Sequence, residues 1–133
     1  MQAVISLLPE PYNAQVERIW NHLEDRFGLK YIRITPIPHF TWQLGEGYQE
    51  ENVLSFLNEL ALRLEPFEVR TNGLNHFAGI SPILFIEVRK SVKLTKLHTQ
   101  IWNQLFPLTL EPSPLYSIET WHPHITLAME DLG

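Results

Sequence analysis

The chain has 133 residues, 44% hydrophobic and 19% charged, with a formal net charge of −5 at pH 7 and no cysteine. That is the length of one ordinary domain with a real core, and its composition excludes a disordered polyelectrolyte, disulfides, thiolate nucleophiles and cysteine-ligated metals. The acidic balance argues against tight non-specific binding to a nucleic acid backbone, duplex DNA included. No apolar run approaches the roughly 18 residues of a membrane span and no charged-then-apolar leader follows Met1, so the expectation is a cytoplasmic protein without a membrane partner.

In chain order, the apolar and partly β-branched run from Ala3 to Leu8 reads as a strand. A first helix is predicted from about Asn13 to Phe27, with Val16, Ile19, Trp20, Leu23 and Phe27 on one stripe and Gly28 as its stop. A proline-rich connection leads into the strand Pro38-His39-Phe40-Thr41-Trp42. A second helix, about Gln49 to Leu64, carries Val53, Leu57, Leu60 and Leu64 on its face and precedes Pro66. Phe67–Thr71 and Ile83–Val88 read as strands joined by a connection containing Asn72-Gly73 and Gly79. After the candidate N-cap Ser91 comes a third helix, Val92 to Phe106, with Leu94, Leu97, Ile101 and Leu105 on its stripe. The last strand is Pro123-His124-Ile125-Thr126-Leu127. Helices interspersed among strands, with no linker or low-complexity tract, predict one α+β domain over residues 1–133, with helices packed outside a sheet.

The segments at Pro38 and Pro123 are near copies, 85 residues apart. In a strand alternate side chains share a face, so His39 and Thr41 point one way and Phe40, Trp42 and Leu44 the other. His124, Thr126 and Ala128 separate from Ile125, Leu127 and Met129 in the same manner. The repeat extends upstream, where Ile19-Trp20-Asn21-His22-Leu23 has a near copy in Ile101-Trp102-Asn103-Gln104-Leu105. Two pseudo-repeats are therefore expected, about 1–75 and 80–133, with Trp20 and Trp102 filling similar core positions. One site built from two halves would hold two imidazoles and two hydroxyls.

That set suits phosphodiester chemistry. Hydrolysis needs a base for the attacking water, an acid for the departing oxygen, and donors for the non-bridging oxygens. Two histidines supply the first pair near neutral pH, because an unperturbed imidazole titrates around pH 6.5. Threonine hydroxyls can donate to the phosphoryl oxygens and hold them in line. Which histidine acts as the acid depends on the orientation of the substrate.

The doubled His-apolar-Thr-apolar motif, each copy after proline with matching elements between, resembles that of the 2H phosphoesterase superfamily, in particular the 2′-5′ RNA ligase-like and RNA 2′,3′-cyclic phosphodiesterase branch. The resemblance covers nearly the whole chain, including His39-Phe40-Thr41-Trp42-Gln43-Leu44-Gly45, the Pro82–Val88 strand, the Leu94-Leu97-His98 helix and Pro123-His124-Ile125-Thr126-Leu127. It implies a bilobal α+β fold with a pseudo-twofold axis and antiparallel sheets lining a central cleft. It also implies metal-independent cleavage of a 2′,3′-cyclic phosphate or 2′-5′ linkage on a nucleotide or RNA end, without a cofactor. Carried over residue by residue, His39 and His124 are catalytic and Thr41 and Thr126 bind the substrate phosphate. The alternatives are 2′-5′ ligation by the same residues in reverse, and a non-catalytic nucleotide or RNA-end binding module.

Two departures from the family pattern bear on substrate. Many RNA-acting members carry a basic residue just after the second motif, where this chain has Met129, and larger relatives continue with further helix and strand elements, whereas this sequence stops at Gly133. A compact version with an open cleft, or a partner covering the exposed edge, is expected from the latter; a monomer is the default. Arg89, Lys90, Lys93 and Lys96 form either a solvated face or a phosphate-steering patch. His122, His124 and His39 could in principle bind zinc, but no carboxylate or cysteine stands at a usual ligand spacing, so no metal is expected. His22 and His98 read as structural, His76 as a connection residue and His122 as a loop residue beside the site. Tyr12, Tyr48 and Phe77 read as core before base-stacking platforms. Gly45-Glu46-Gly47 lacks the remaining pattern of a phosphate-binding loop.

Overall fold

The structure, a computed structural model, describes residues 1–132. Its elements are β1 (Gln2–Leu7), α1 (Tyr12–Phe27), β2 (His39–Gly45), β3 (Gly47–Tyr48), α2 (Glu50–Arg63), β4 (Thr71–Phe77), β5 (Ile83–Val88), α3 (Val92–Leu105), β6 (Thr109–Leu110) and β7 (His124–Met129). Short 3-10 turns occupy Tyr31–Ile34, Phe106–Leu108 and Pro114–Tyr116. The strands form a β1-β2 pair, a β3-β6 pair and a three-stranded β4-β5-β7 sheet. Three helices with antiparallel pairing give the α+β class that the sequence predicts. No helix among the described residues is long and apolar enough to cross a membrane.

The helix ends follow local chemistry. Gly28 stops α1 with φ +70°, a left-handed conformation that costs glycine little, and its N–H bonds the Glu24 carbonyl at 2.9 Å. Ser91 caps α3, its hydroxyl accepting from the Leu94 N–H at 3.2 Å. Glu50 and Glu51 lie in the first turn of α2, where negative charge meets the positive end of the helix dipole.

The chain divides into two compact units, and two of the division points fall inside β1 and β2. One unit comprises Met1–Ile5, Thr41–Arg70 and Lys90–His122; the other comprises Ser6–Phe40, Thr71–Arg89 and Pro123 onward. Each therefore draws on both sequence repeats.

The first unit buries Trp42, Val53, Leu60, Leu94, Leu97, Ile101, Leu105 and Trp121. Its β3 and β6 pair antiparallel, with Gly47 opposite Leu110 and Tyr48 opposite Thr109. At Gly45 the chain passes so close to β6 that a Cβ would lie 2.3 Å from the Thr109 methyl and 3.1 Å from the Leu110 carbonyl oxygen.

In the second unit β5 lies between β4 and β7, both antiparallel to it. Phe85, Val88, Ile125, Leu127 and Ala128 are buried there, with Val16 and Trp20 of α1 and Ile32. The Asp131 carboxylate accepts the Lys30 and Tyr31 N–H groups, both at 2.8 Å, and so satisfies the start of the turn at Tyr31–Ile34.

Three expectations need correction. The strand predicted at Phe67–Thr71 lies instead at Thr71–Phe77, because Asn72-Gly73 does not reverse the chain but forms a bulge between Thr71 and Leu74, with Gly73 at φ +79°. As an edge strand β4 exposes every side chain through His76, so it has no buried face to produce alternation. Three residues expected on apolar helix faces are exposed, Ile19 and Phe27 of the first helix and Leu64 at the end of the second, Phe27 by 68%. Trp20 and Trp102 are not equivalent: Trp20 is 1% exposed, whereas Trp102 is half-buried against Phe106 and its neighbour Ile101 fills the core.

Candidate active site

The two motif strands bury their side chains in the same order. From His39 and from His124, six successive residues run half-buried, buried, half-buried, buried, buried, half-buried. His39, Thr41 and Leu44, and His124, Thr126 and Met129, are the half-buried members; Phe40, Trp42 and Gln43, and Ile125, Leu127 and Ala128, are the buried ones, so Leu44 and Met129, expected on the buried faces, depart from strict alternation. Each strand is entered through a fully buried proline, Pro38 or Pro123. Proline fixes φ and biases the preceding residue to extended backbone, so each histidine starts its strand from an anchored position.

His39 Nδ1 lies 2.8 Å from the Ile37 carbonyl oxygen. A carbonyl can only accept, so Nδ1 carries a proton and Nε2 is the nitrogen left to exchange one. The Thr41 carbonyl accepts the indole N–H of Trp121 at 3.0 Å. Burial pushes the Tyr116 phenol up, against a smaller lowering influence of the Thr41 side chain.

His124 stands opposite Glu87 in the β5-β7 register, and Thr126 opposite Phe85. Its ring meets Phe77 edge to face, with centroids 5.4 Å apart, and lies 5.1 Å from Phe85. The Thr126 carbonyl accepts the indole N–H of Trp20 at 3.1 Å. The backbone of each motif threonine is thus held by a buried tryptophan distant in sequence. The unit division falls between Phe40 and Thr41: His39, His124 and Thr126 belong to one unit and Thr41 to the other.

Trp121 escaped the sequence reading, which paired Trp20 with Trp102. The only available signal was general, since a buried indole N–H needs an acceptor and Trp121 stands two residues before the second proline. Nothing in the pattern pairs residue 121 with residue 41.

His98 is structural, as expected. It is 1% exposed, stacks on Trp121 at 3.9 Å with the rings 4° from parallel, and places Nε2 3.0 Å from the Tyr116 carbonyl oxygen. Burial pushes its pKa down to about 4 against the pull of the Tyr116 and Trp42 carbonyls, so the ring is neutral at pH 7. His22 and His76 are exposed and His122 is half-buried. Tyr12 is exposed rather than core. Among the described residues no group of three histidines or carboxylates is arranged to hold a metal ion. Within the basic cluster Lys90 Nζ donates to the Trp121 carbonyl at 3.1 Å, while Arg89, Lys93 and Lys96 are exposed.

Residues 8–132 match the profile of the 2′-5′ RNA ligase superfamily. Two relatives carry the name "Putative phosphoesterase": one from Bacillus mycoides is 27% identical over 113 residues, covering 83% of this chain and 60% of its own. The other, from Bacillus cereus, is 27% identical over 110 residues, covering 80% of this chain and 59% of its own. The chain thus spans about three-fifths of the length of the curated relatives it matches. No solved structure matches it significantly. With the motif pair lying inside a match that takes in almost every residue, the chain belongs to the 2′-5′ RNA ligase superfamily.

Proposed function

We propose that the protein is a phosphodiesterase that opens a 2′,3′-cyclic phosphate, or hydrolyses a 2′-5′ linkage, on a nucleotide or RNA end without a metal ion. The observation that carries this reading is the identical presentation of two His-x-Thr strands, each with imidazole and hydroxyl half-buried over an apolar back. The names of the relatives point to the hydrolytic direction.

One histidine, neutral, takes a proton from water as its oxygen attacks phosphorus. The other, as imidazolium, gives its proton to the ribose oxygen whose bond to phosphorus breaks. The outcome for a cyclic substrate is one phosphomonoester and one free hydroxyl. His39 is prepared for either role, because the Ile37 carbonyl occupies Nδ1 and leaves Nε2 to receive or deliver the proton. Thr41 and Thr126 donate to the non-bridging oxygens, and the two indole bonds to their carbonyls fix the strand positions from which the hydroxyls reach out.

The test is hydrolysis of the four nucleoside 2′,3′-cyclic monophosphates in chelator at neutral pH, with product isomers resolved. His39→Ala and His124→Ala should each lower turnover about 10²- to 10⁴-fold, the usual share of general acid-base catalysis. Unimpaired turnover in both variants, or abolition by chelator alone, would overturn the mechanism. A folded wild type inactive on all four and on 2′-5′ dinucleotides would overturn the function.

A further inference from the structure

The sheet that carries the second motif sets a carboxylate beside His124. Glu87 on β5 stands directly opposite His124 on β7, and Phe85, two residues back on the same face, stands opposite Thr126. The Val88 N–H donates to the Pro123 carbonyl at 3.1 Å, so residues 88 and 123 form a hydrogen-bonded pair, and Glu87 and His124 are the narrow pair next to it. Side chains of such a pair leave the same face with Cβ atoms about 4.5–5.5 Å apart. The imidazole lies on that face, because its ring centroid is 5.1 Å from that of Phe85 and it meets Phe77 edge to face. From β4, Asn72 donates its amide to Glu87 Oε2 at 3.5 Å, reaching over from the bulge between Thr71 and Leu74. Bulges beside active sites re-aim side chains, and this one brings an amide to the carboxylate on the His124 face.

We propose that Glu87 is a positioning residue: its carboxylate accepts one ring N–H of His124, Asn72 steadies that carboxylate, and His124 is thereby the imidazolium acid and His39 the neutral base. The proposal rests on the phosphodiesterase reading above. A carboxylate favours the charged ring, whereas the Ile37 carbonyl that His39 bonds carries no net charge. With one nitrogen committed to Glu87, the other is left to exchange a proton. His124 delivers that proton to the ribose oxygen as its bond to phosphorus breaks, His39 takes one from the attacking water, and exchange with solvent restores both rings. The other ionisable groups around the sheet have different surroundings. His76 stands opposite Leu84 on the other face, and Arg89 is exposed beyond the end of β5. α1 and the Tyr31–Ile34 turn also pack against β7. The buried residues of α1 are Val16 and Trp20, Arg33 lies over the Trp20 ring at 5.7 Å, and Asp131 takes the Lys30 and Tyr31 N–H groups.

The first measurement needs no substrate. In NMR of the isotopically labelled wild type, the Glu87 carboxyl resonance should show a step at the pH at which the His124 ring loses its proton, and Glu87→Gln should lower that pH by about one pH unit. The second is kinetic, on the cyclic nucleotide that the wild type turns over best. Glu87→Gln should lower kcat about 10-fold at neutral pH with little change in KM, a part of the share of general acid-base catalysis. In the His124→Ala background it should do nothing further, because the ring it holds is gone, and in the His39→Ala background its effect should persist. Asn72→Ala, on the exposed edge strand, should lower kcat less than Glu87→Gln does and add nothing to it. Glu87 and His124 titrating independently in the wild type, or a loss of turnover that is equal with and without His124, overturns the inference and leaves the phosphodiesterase reading standing. A folded wild type inactive on the cyclic nucleotides and on 2′-5′ dinucleotides overturns that reading and the acid-base assignment with it, whereas the titration still decides whether Glu87 holds His124.

Discussion

An indole N–H offered to a strand carbonyl is a small feature with a clear energetic signature. Trp20 is almost wholly buried and spends its one polar atom on the carbonyl of Thr126. Trp20→Phe keeps most of the apolar surface but leaves that carbonyl without its partner, at a cost of about 1–3 kcal/mol. Urea unfolding should show a lower midpoint with unchanged slope; an unchanged midpoint would mean that the bond contributes nothing. At this scale the sequence singles out the candidate residues and is silent about what holds them. His39, Thr41, His124 and Thr126 stood out because a period-two pattern with repeated residue types is local. The holders of the threonines did not, because Trp121 is 80 residues from Thr41 and Trp20 is 106 from Thr126, and no local pattern carries such a pairing.

Elements with one buried and one exposed face were legible, and those without were not. The three helices were legible from their apolar spacing, and Ser91 caps α3 as read. Ser91→Ala should cost about 1 kcal/mol, the usual loss for an N-cap hydroxyl, measurable as a lower melting temperature. β4 was misplaced because its exposed edge leaves no alternation and its Asn-Gly pair serves a bulge. Gly45 tests the close approach of β2 to β6. A Cβ there would meet the Thr109 methyl at 2.3 Å, closer than real Cβ contacts come, so Gly45→Ala must displace the Thr109 side chain or β6 itself. The expected destabilisation is about 1–3 kcal/mol, as for other overpacked sites. Gly47, whose nearest such contact is 4.0 Å away, serves as the control, and equal tolerance at the two positions would contradict the crowding.

For the molecule as a whole, pH is the informative variable. His98 has an ordinary pKa near 6.5 when unfolded and about 4 when folded, so between those values the unfolded chain binds a proton that the folded chain does not. The stabilisation from its neutral burial is complete above pH 6.5 and is lost as pH falls toward 4, by about 1.4 kcal/mol per unit at its steepest. His98→Phe should flatten this part of the profile in urea unfolding at pH 7, 5.5 and 4, with the carboxylates common to both proteins. Parallel profiles would show that His98 is not the titrating group. The α+β class was legible from the alternation of helix and strand patterns, whereas the division into units was not. A repeat in sequence suggests two halves that each close on themselves, yet each unit combines segments from both repeats.

Interleaving has a consequence during synthesis. α1 leaves the ribosome before β7, which supplies the carbonyl that its Trp20 bonds. β5 likewise waits for β7 to fill its register from Ile83 to Glu87. An arrested nascent chain ending near residue 120 should therefore be digested readily in the Ser6–Phe40 segment, becoming protected only once residues 124–129 have cleared the exit tunnel. The second motif histidine and the strand that pairs with β5 thus arrive in the same step, so the candidate site and the protection of this segment are assembled together.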